Sequence, residues 1–460
     1  MSEKISDELN YSQVVSNHST PVFRNVAPQN SASITLSTTS GGSISEFIIP
    51  PSVFNFSKSR LNFDLSTAAT ASNFNYINAN LLTSISRVVV YDSATNAQLL
   101  DIGSFEKYAS LVSTAGTSLA DFLTKSFVSV NPATTIAGGQ PVEDIGKLVA
   151  SAANPVQDGT NVDSTSGNVV AQGGQTQRRQ FYIGGSGAAT QLRVSIPLSA
   201  FKFTVLASDR LLYSPSNIVI QIYWNATNNF GFVATSATDI LGTPAVLGTT
   251  TIANVSLSLC NEGNLQIVSS VIDKVMKEGL TMPIGYPSIT RFSNSAAVTS
   301  VSTYIPLTKA YGNRILALVS GVFRNGSYSQ INARGVFDTS SYNTFLNNVA
   351  ILSQSGFTTG TSGRAEDYII ANKDFFKGSA LQTVGEYRFA EWVHIDSFFG
   401  RKPLYELNQH EIDGLDVGNQ TATYSQQFNY TTGVTGGANY VTAILGQKML
   451  TLSAQGSMVM

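Results

Sequence analysis

Three histidines and one cysteine are all the imidazole and thiol in this 460-residue chain. Any metal centre or thiol nucleophile would have to draw on them. His18 lies in a polar stretch near the start, His394 in the alternating stretch Trp392-Val-His-Ile-Asp396, and His410 directly before Glu411. No two of them show the i, i+3 or i, i+4 spacing that places two ligands on one helix face. Together with a lone cysteine they fall short of the ligand set of a structural zinc. Structural or surface roles are expected for all three. Cys260 ends the alternating stretch Val255-Ser-Leu-Ser-Leu-Cys260 and reads as a small buried hydrophobe. No Cys/His nucleophile pattern surrounds it, and nothing in cysteine usage demands an oxidising compartment.

The carboxylates offer a second route to chemistry. Glu46, Asp64, Glu391 and Asp396 fall in stretches that read as strands. A β-sandwich glycoside hydrolase needs two such groups facing one sugar cleft. Each of the four serves equally well as the outward polar residue of an alternating strand. No aromatic-lined motif selects a pair. Asp413, Asp416 and Asn419, with Gly414 and Gly418, suggest a cation loop, but the EF-hand spacing is missing and a turn is expected. Gly184-Gly-Ser-Gly187 and Gly436-Gly437 lack the glycine spacing of nucleotide-binding loops and read as turns. Arg178-Arg179 is too small a basic patch for phosphate binding and reads as a solvated or interface pair. Asn-X-Ser/Thr sequons stand at Asn10, Asn17, Asn55, Asn225, Asn254, Asn325, Asn419 and Asn429. At this Ser/Thr/Asn content several arise by chance. The expectation is no catalytic, cofactor-binding or metal-binding residue, and no enzyme.

The elements that would carry these residues follow from composition and period. Charged residues make up 12% of the chain, against roughly 25% in ordinary globular proteins. Ser, Thr and Asn take their place, and the net charge is -2. Hydrophobic residues at 42% exclude global disorder. The balance also lacks the basic excess of a nucleic-acid coat, so no sequence-specific nucleic-acid partner is expected. Small β-formers mixed with glycine, asparagine and aromatics suit an all-β chain with many turns. The polar start, Met1 to Leu9, has no signal-peptide core, and no apolar run approaches the roughly 18 residues of a membrane helix.

Residues 1–30 read as a flexible arm interrupted by Pro21 and Pro28. Alternation begins at Ser31. It is cleanest in Arg60-Leu-Asn-Phe-Asp-Leu65, where Leu61, Phe63 and Leu65 share a face. Phe105 to Ser126 reads as two helical pieces. Residues 129–176 lose all period and read as a long surface loop. Ile218 to Trp224 is apolar enough for burial on both faces. Asn264 to Gly279 is the clearest helix, with Val268, Val271, Ile272, Val275 and Met276 on one stripe and Gly279 as a left-handed cap. The second half repeats the order of strands, helical insert and strands. Helices are expected at Ser341 to Gln354 and at Ala365 to Phe375. The matched order suggests two similar domains in tandem: 31–262 with the loop 129–176, a connecting helix at 263–280, and 281–460.

Certain segments resemble the double jelly-roll major capsid proteins of icosahedral DNA viruses, the lineage of adenovirus-like and tailless-phage-like capsids. Phe47-Ile-Ile-Pro-Pro-Ser-Val-Phe-Asn-Phe-Ser-Lys-Ser-Arg-Leu-Asn-Phe-Asp-Leu65 looks like their apolar-proline stretch leading into a strand. Ser84 to Asp92, followed by Leu99 to Tyr108, resembles their next strand and helix. Ile196 to Tyr213, ahead of Ile218-Val-Ile-Gln-Ile222, is the most specific match. Glu411-Ile-Asp-Gly-Leu-Asp416 and Gln447-Lys-Met-Leu-Thr-Leu452 are similar to the family's closing segments. Residues 212–216, Leu-Tyr-Ser-Pro-Ser, depart from the family pattern, and the loop at 129–176 has no counterpart.

The resemblance implies an all-β fold of two tandem eight-stranded antiparallel jelly rolls with a few short helices in the inserts. It implies a structural virion protein, forming pseudo-hexameric homotrimers that tile an icosahedral capsid. The implied partners are copies of itself, penton and minor capsid proteins, and an internal membrane reached by the arm. The implied place is the virion, assembled in the host cytoplasm or nucleus. A carbohydrate-binding or carbohydrate-active β-sandwich, or a viral spike or receptor-binding protein, is the alternative that the same composition allows.

Overall fold

The computed structural model describes residues 18–37, 43–67, 74–78, 81–113, 128–130, 135–136, 140–141, 180–185, 190–234, 245–246, 249–295, 298–324, 339–351, 393–400, 404–430 and 437–460. Strands dominate throughout. Those of the two main sheets in the first half are β1 (Pro21–Val26), β2 (Ile44–Ile49), β3 (Val53–Thr67), β4 (Ile85–Asp92), β5 (Gln98–Gly103), β6 (Val128–Val130), β7 (Thr190–Pro197), β8 (Ile218–Trp224) and β9 (Thr250–Glu262). One sheet has the order β1-β9-β3-β7-β6, and the facing sheet the order β2-β8-β4-β5. All these pairings are antiparallel.

The second half contains β10 (Leu280–Asn294), β11 (Ser300–Leu307), β12 (Arg314–Arg324), β13 (Thr339–Leu346), β14 (Val349–Ala350), β15 (Val393–Ser397), β16 (Ala422–Tyr430), β17 (Ala438–Ser453) and β18 (Gly456–Val459). Its sheets run β10-β17-β12-β15 and β11-β16-β13-β14, again antiparallel. Each half is therefore a sandwich of two sheets that carry four or more strands each.

Period-2 patterning explains the placement. Leu61, Phe63 and Leu65 of β3 are buried, as the alternation predicts. Across from them Trp224 meets Phe63 edge-on, with centroids 5.0 Å apart. The Trp224 indole donates to Ser45 Oγ at 2.9 Å, which satisfies its one buried polar atom. In β12 nine consecutive residues, Ile315 to Phe323, are buried. Leu318 and Val322 face the interior of the second sandwich. Ala317, Val319 and Phe323 join the apolar cluster of the first roll. The sheet β10-β17-β12-β15 is thus covered on both faces, as the largely apolar sequence of β12 requires.

Two helical expectations change. Up to Ile351, the last described residue there, the helix expected at Ser341 to Gln354 is instead the hairpin of β13 and β14. Tyr342 and Thr344 are buried at period 2, and Asn347 and Asn348 take φ of 51° and 64°. Two consecutive left-handed asparagines make the two-residue turn whose twist suits a hairpin, and that turn chemistry outweighs the local apolar spacing. The helix expected from Phe105 is α1 (Phe105–Tyr108), continuing into a π-type turn at 109–113. Its expected second piece and the helix at 365–375 lie outside the described residues. So does most of 129–176, of which Ser129–Val130 pair with β7.

The connecting helix is α2 (Leu265–Lys277). Asn264 Oδ1 accepts from the Gln266 amide at 3.0 Å, and Gly279 follows at φ 75°. Only Val275 of its apolar stripe is buried; Met276 is 43% exposed. The helix rests across strands of both rolls rather than in a core. Ahead of it, part of the segment read as an arm is an edge strand: β1 pairs with β9 in register from Pro21↔Glu262 to Val26↔Leu257. The Glu262 carboxylate fixes its start by accepting from Ser19 Oγ at 2.6 Å and Thr20 N at 2.7 Å.

Candidate functional site

The residues that could do chemistry gather in two places, the interior of the second roll and the seam between the rolls. In the interior, β15 places His394 and Asp396 on the same inward face. Their side chains lie 2.9 Å apart and are 5% and 4% exposed. Tyr424 Oη donates to Asp396 Oδ2 at 2.6 Å, and Thr344 Oγ1 reaches Oδ1 at 3.5 Å. Gln426 Nε2 donates to the hydroxyls of Tyr342 and Tyr424 at 3.0 and 3.2 Å. Its Oε1 accepts from Thr303 and Thr442, each at 3.4 Å. Ser320 and Thr442 join at 3.0 Å. Burial and the Asp396 charge both push the Tyr424 phenol well above its ordinary value, so it stays a donor. The network lies between two apolar clusters. Buried in this way, it can hold the two sheets in register.

The seam holds three devices. Asp92, at the end of β4, is wholly buried. Its Oδ1 accepts from Ser216 Oγ at 2.6 Å and Ala94 N at 2.9 Å. Its Oδ2 accepts from Ser457 N of the second roll at 2.9 Å. Burial alone would raise this carboxyl; the hydrogen bonds from Ser216, Ala94 and Ser457 outweigh it and hold the group below its ordinary value. Beside α1, buried Lys107 places Nζ 4.4 Å from the Phe323 ring centroid across the seam. Burial pushes its neighbour Glu106 up, while Lys107 and Arg291 pull the other way.

The third device is a cleft. It opens between the turn 199–209 of the first roll and the loop 404–410 of the second, with a volume of about 270 Å³. Phe203 sits there at φ 57°, in left-handed space that a bulky residue rarely adopts. Its carbonyl lies against Gly285, where a Cβ would stand 2.1 Å from that oxygen. His410 donates from Nδ1 to the Pro283 carbonyl at 2.9 Å, and its Nε2 lies 3.4 Å from Asp209 Oδ1.

The other candidates are dispersed. Glu46 accepts from Gln221 at 2.7 Å on one sheet, and Asp64 from Asn254 at 2.7 Å on the other. Asp413 and Asp416 accept the amides of Gly414 and Gly418, which are turn contacts. Gly184 and Gly185 end a short strand, Gln180–Gly185, rather than forming a turn; the pairing shifts register there, as a bulge at glycine allows. Cys260 is buried and its amide donates to Ser59 Oγ. The main chain of His18 accepts from Asn264 at 3.0 Å. Among the sequons, Asn55 and Asn225 are buried, which closes them to glycans. Glu391, Arg178, Arg179 and Gly436 lie outside the described residues, as do Ser186 and Gly187. Among the described residues, no group of three or more His, Cys, Asp or Glu is placed to hold a metal ion. No helix among them is long and apolar enough to cross a membrane.

Asp92, Lys107, Gln409, Tyr424 and Gln426 are absent from the sequence-derived candidates. Gln426 carried a signal, since it interrupts the inward row Ala422, Tyr424, Phe428 and Tyr430 of an alternating strand. Asp92 carried none beyond turn chemistry, because its partners lie up to 365 residues away.

Compared by sequence, the chain matches no protein-family model and no curated protein. Compared by structure, it is similar to the major capsid protein of Faustovirus: TM-score 0.52 at 11% identity, over 95% of this chain and 90% of that one. VP54 of PBCV-1, as fitted into the virophage Sputnik, gives 0.49 at 10% identity over 96% and 97%. The mavirus major capsid protein gives 0.48 at 10% identity over 95% and 90%. The Faustovirus protein shares the architecture over nearly the whole of both chains. The fold is a double jelly roll.

Proposed function

We propose that this chain is the major capsid protein of an icosahedral virus and that it works by assembly rather than by catalysis. The observation that carries this reading is the shared double jelly-roll fold with the Faustovirus major capsid protein across 95% of the chain. The internal construction supports it. Both faces of the sheet β10-β17-β12-β15 are buried, so the two rolls form one stiff block rather than two hinged domains. A low share of charge suits a subunit whose flanks are covered by copies of itself, because charged residues are depleted at interface cores.

In this reading three subunits close into a pseudo-hexameric trimer, and trimers tile the shell together with penton and minor proteins. The segment ahead of β1 reaches a neighbour, a minor protein or an inner membrane. The loop within 129–176 faces outward. The virion is the place of action, and no cofactor takes part. Light scattering on the purified protein tests it. A trimer of 49.0 kDa chains has a mass of about 150 kDa; a stable monomer at all concentrations contradicts the reading. Deleting residues 2–17 is expected to leave trimers intact and impair shells.

A further inference from the structure

Each roll presents the same two docking parts, and within one chain only one of each is used. Strand for strand, β1-β9-β3-β7 of the first roll corresponds to β10-β17-β12-β15 of the second, and β2-β8-β4-β5 to β11-β16-β13-β14. At the seam, the turn of hairpin β4–β5 holds the turn that ends β17. Thr95 Oγ1 donates to the Ser457 carbonyl at 2.8 Å, and Asp92 Oδ2 accepts from the Ser457 amide at 2.9 Å. A Cβ added at Gly456 would stand 2.8 Å from the Thr95 methyl, so the two backbones approach closely. Alongside, β5 packs against β10. A hairpin at one position of the sandwich thus docks on a strand end at another.

The corresponding parts are left over. They are the hairpin β13–β14 on the second roll and, on the first, the end of β9 with β1 beside it. Both expose hydrocarbon. Val349 on the hairpin is 69% exposed, and Ile351 follows it. At the strand end Leu265, the first residue of α2, is 81% exposed, and Val22 and Phe23 of β1 are exposed with it. The polar groups around them are already engaged. Asn347 Oδ1 accepts from the Thr423 amide at 2.8 Å, and the Glu262 carboxylate accepts from Ser19, Thr20 and the Asn264 amide. Neither β13 nor β14 contains a charged residue. Covering such patches therefore costs little desolvation. A single exposed apolar residue needs no explanation. Here two groups of them occupy the positions that the seam uses in the opposite roll. A second copy of this chain brings the missing half to each. We infer that hairpin β13–β14 of one copy docks on the β1–β9 end of the next, repeating between copies the contact that joins the rolls within one. The two patches differ, so the contact is heterologous and can close into a ring. In the capsid reading, on which this inference rests, three copies close it.

Val349→Asp and Phe23→Asp, made separately in the full-length protein, test this by analytical ultracentrifugation. Each puts an unpaired carboxylate into an apolar contact and should weaken association at least about ten-fold. Both sites are exposed in the single chain, so the variants should fold, which their melting temperatures check. A cysteine pair tests the contact without disrupting it. Val22→Cys with Val349→Cys, treated with a short bis-maleimide, should give covalent dimers and trimers on a denaturing gel. Either cysteine alone should stay at the monomer mass, as should the parent, whose Cys260 is buried. Trimers formed by both Asp variants as readily as by the parent overturn the inference and leave the capsid reading standing. So does a trimeric double-cysteine variant that yields no covalent ladder. A parent that stays monomeric at every concentration overturns the contact and the capsid reading together.

Discussion

In the first roll Phe47, Phe56, Phe63 and Trp224 pack with their aliphatic neighbours into one continuous apolar cluster. In the second roll the corresponding layer is split. Val301, Phe428 and Tyr440 cluster at one end, and Ile305, Leu307 and Ile444 at the other. Between them lie Thr303, Ser320, Thr344, His394, Asp396, Gln426 and Thr442, all buried. The same sandwich plan is thus held by packing in one roll and by directed hydrogen bonds in the other. An apolar core tolerates exchange of one hydrocarbon for another of equal volume. A buried polar layer does not, because each deletion strands a partner.

The largest effect should come from Asp396. Asp396→Ala leaves the His394 imidazole and the Tyr424 hydroxyl facing an empty site, and each buried donor left without its acceptor costs about 1–3 kcal/mol. Urea unfolding should show this as a lower midpoint; a loss below about 1 kcal/mol would mean the layer is incidental. Next come volume-matched exchanges, one in each roll. Gln426→Met removes one partner from each of four hydroxyls and is expected to cost about 1–3 kcal/mol. Leu61→Met in the first roll should cost less than about 1.5 kcal/mol. Equal losses would erase the distinction between the rolls. Ser45→Ala, which removes the partner of the Trp224 indole, should cost about 1 kcal/mol, showing that this single contact is a minor contribution.

The seam adds a pH-dependent contribution. Asp92 is held below its ordinary value in the folded chain, so its ionised form favours the folded state. Its contribution is complete above the unfolded value of about 3.9 and fades as pH falls through the lower folded value. Asp92→Asn should therefore melt lower than the parent at neutral pH, and the gap should close in acid. A gap that widens in acid would reverse the sign of the linkage.

Much of this fold is legible in the sequence, and the reasons are specific. Leu61, Phe63 and Leu65 declare their face because β3 has one buried side. That Ile315 to Phe323 is buried on both faces follows from the docking of the two rolls, since Ser320 and Gly321 interrupt its apolar run. The Asn347-Asn348 hairpin escapes a sequence reading because Tyr342, Leu346 and Ile351 also satisfy a loose helical period, and only paired left-handed asparagines decide against it. The exposure of Met276 escapes it because amphipathicity says which face is apolar, not whether anything covers it. The cleft is invisible for a different reason. Phe203, Gly285 and Gln409 come together only when two rolls dock, and no local period encodes that meeting.

A double jelly roll that builds shells must first associate with copies of itself. Negative-stain electron microscopy of the purified protein tests this most directly. The capsid reading predicts three-fold particles of hexagonal outline that pack into sheets or shells. Isolated two-lobed monomers at every concentration, with no trimer and no lattice, would contradict it.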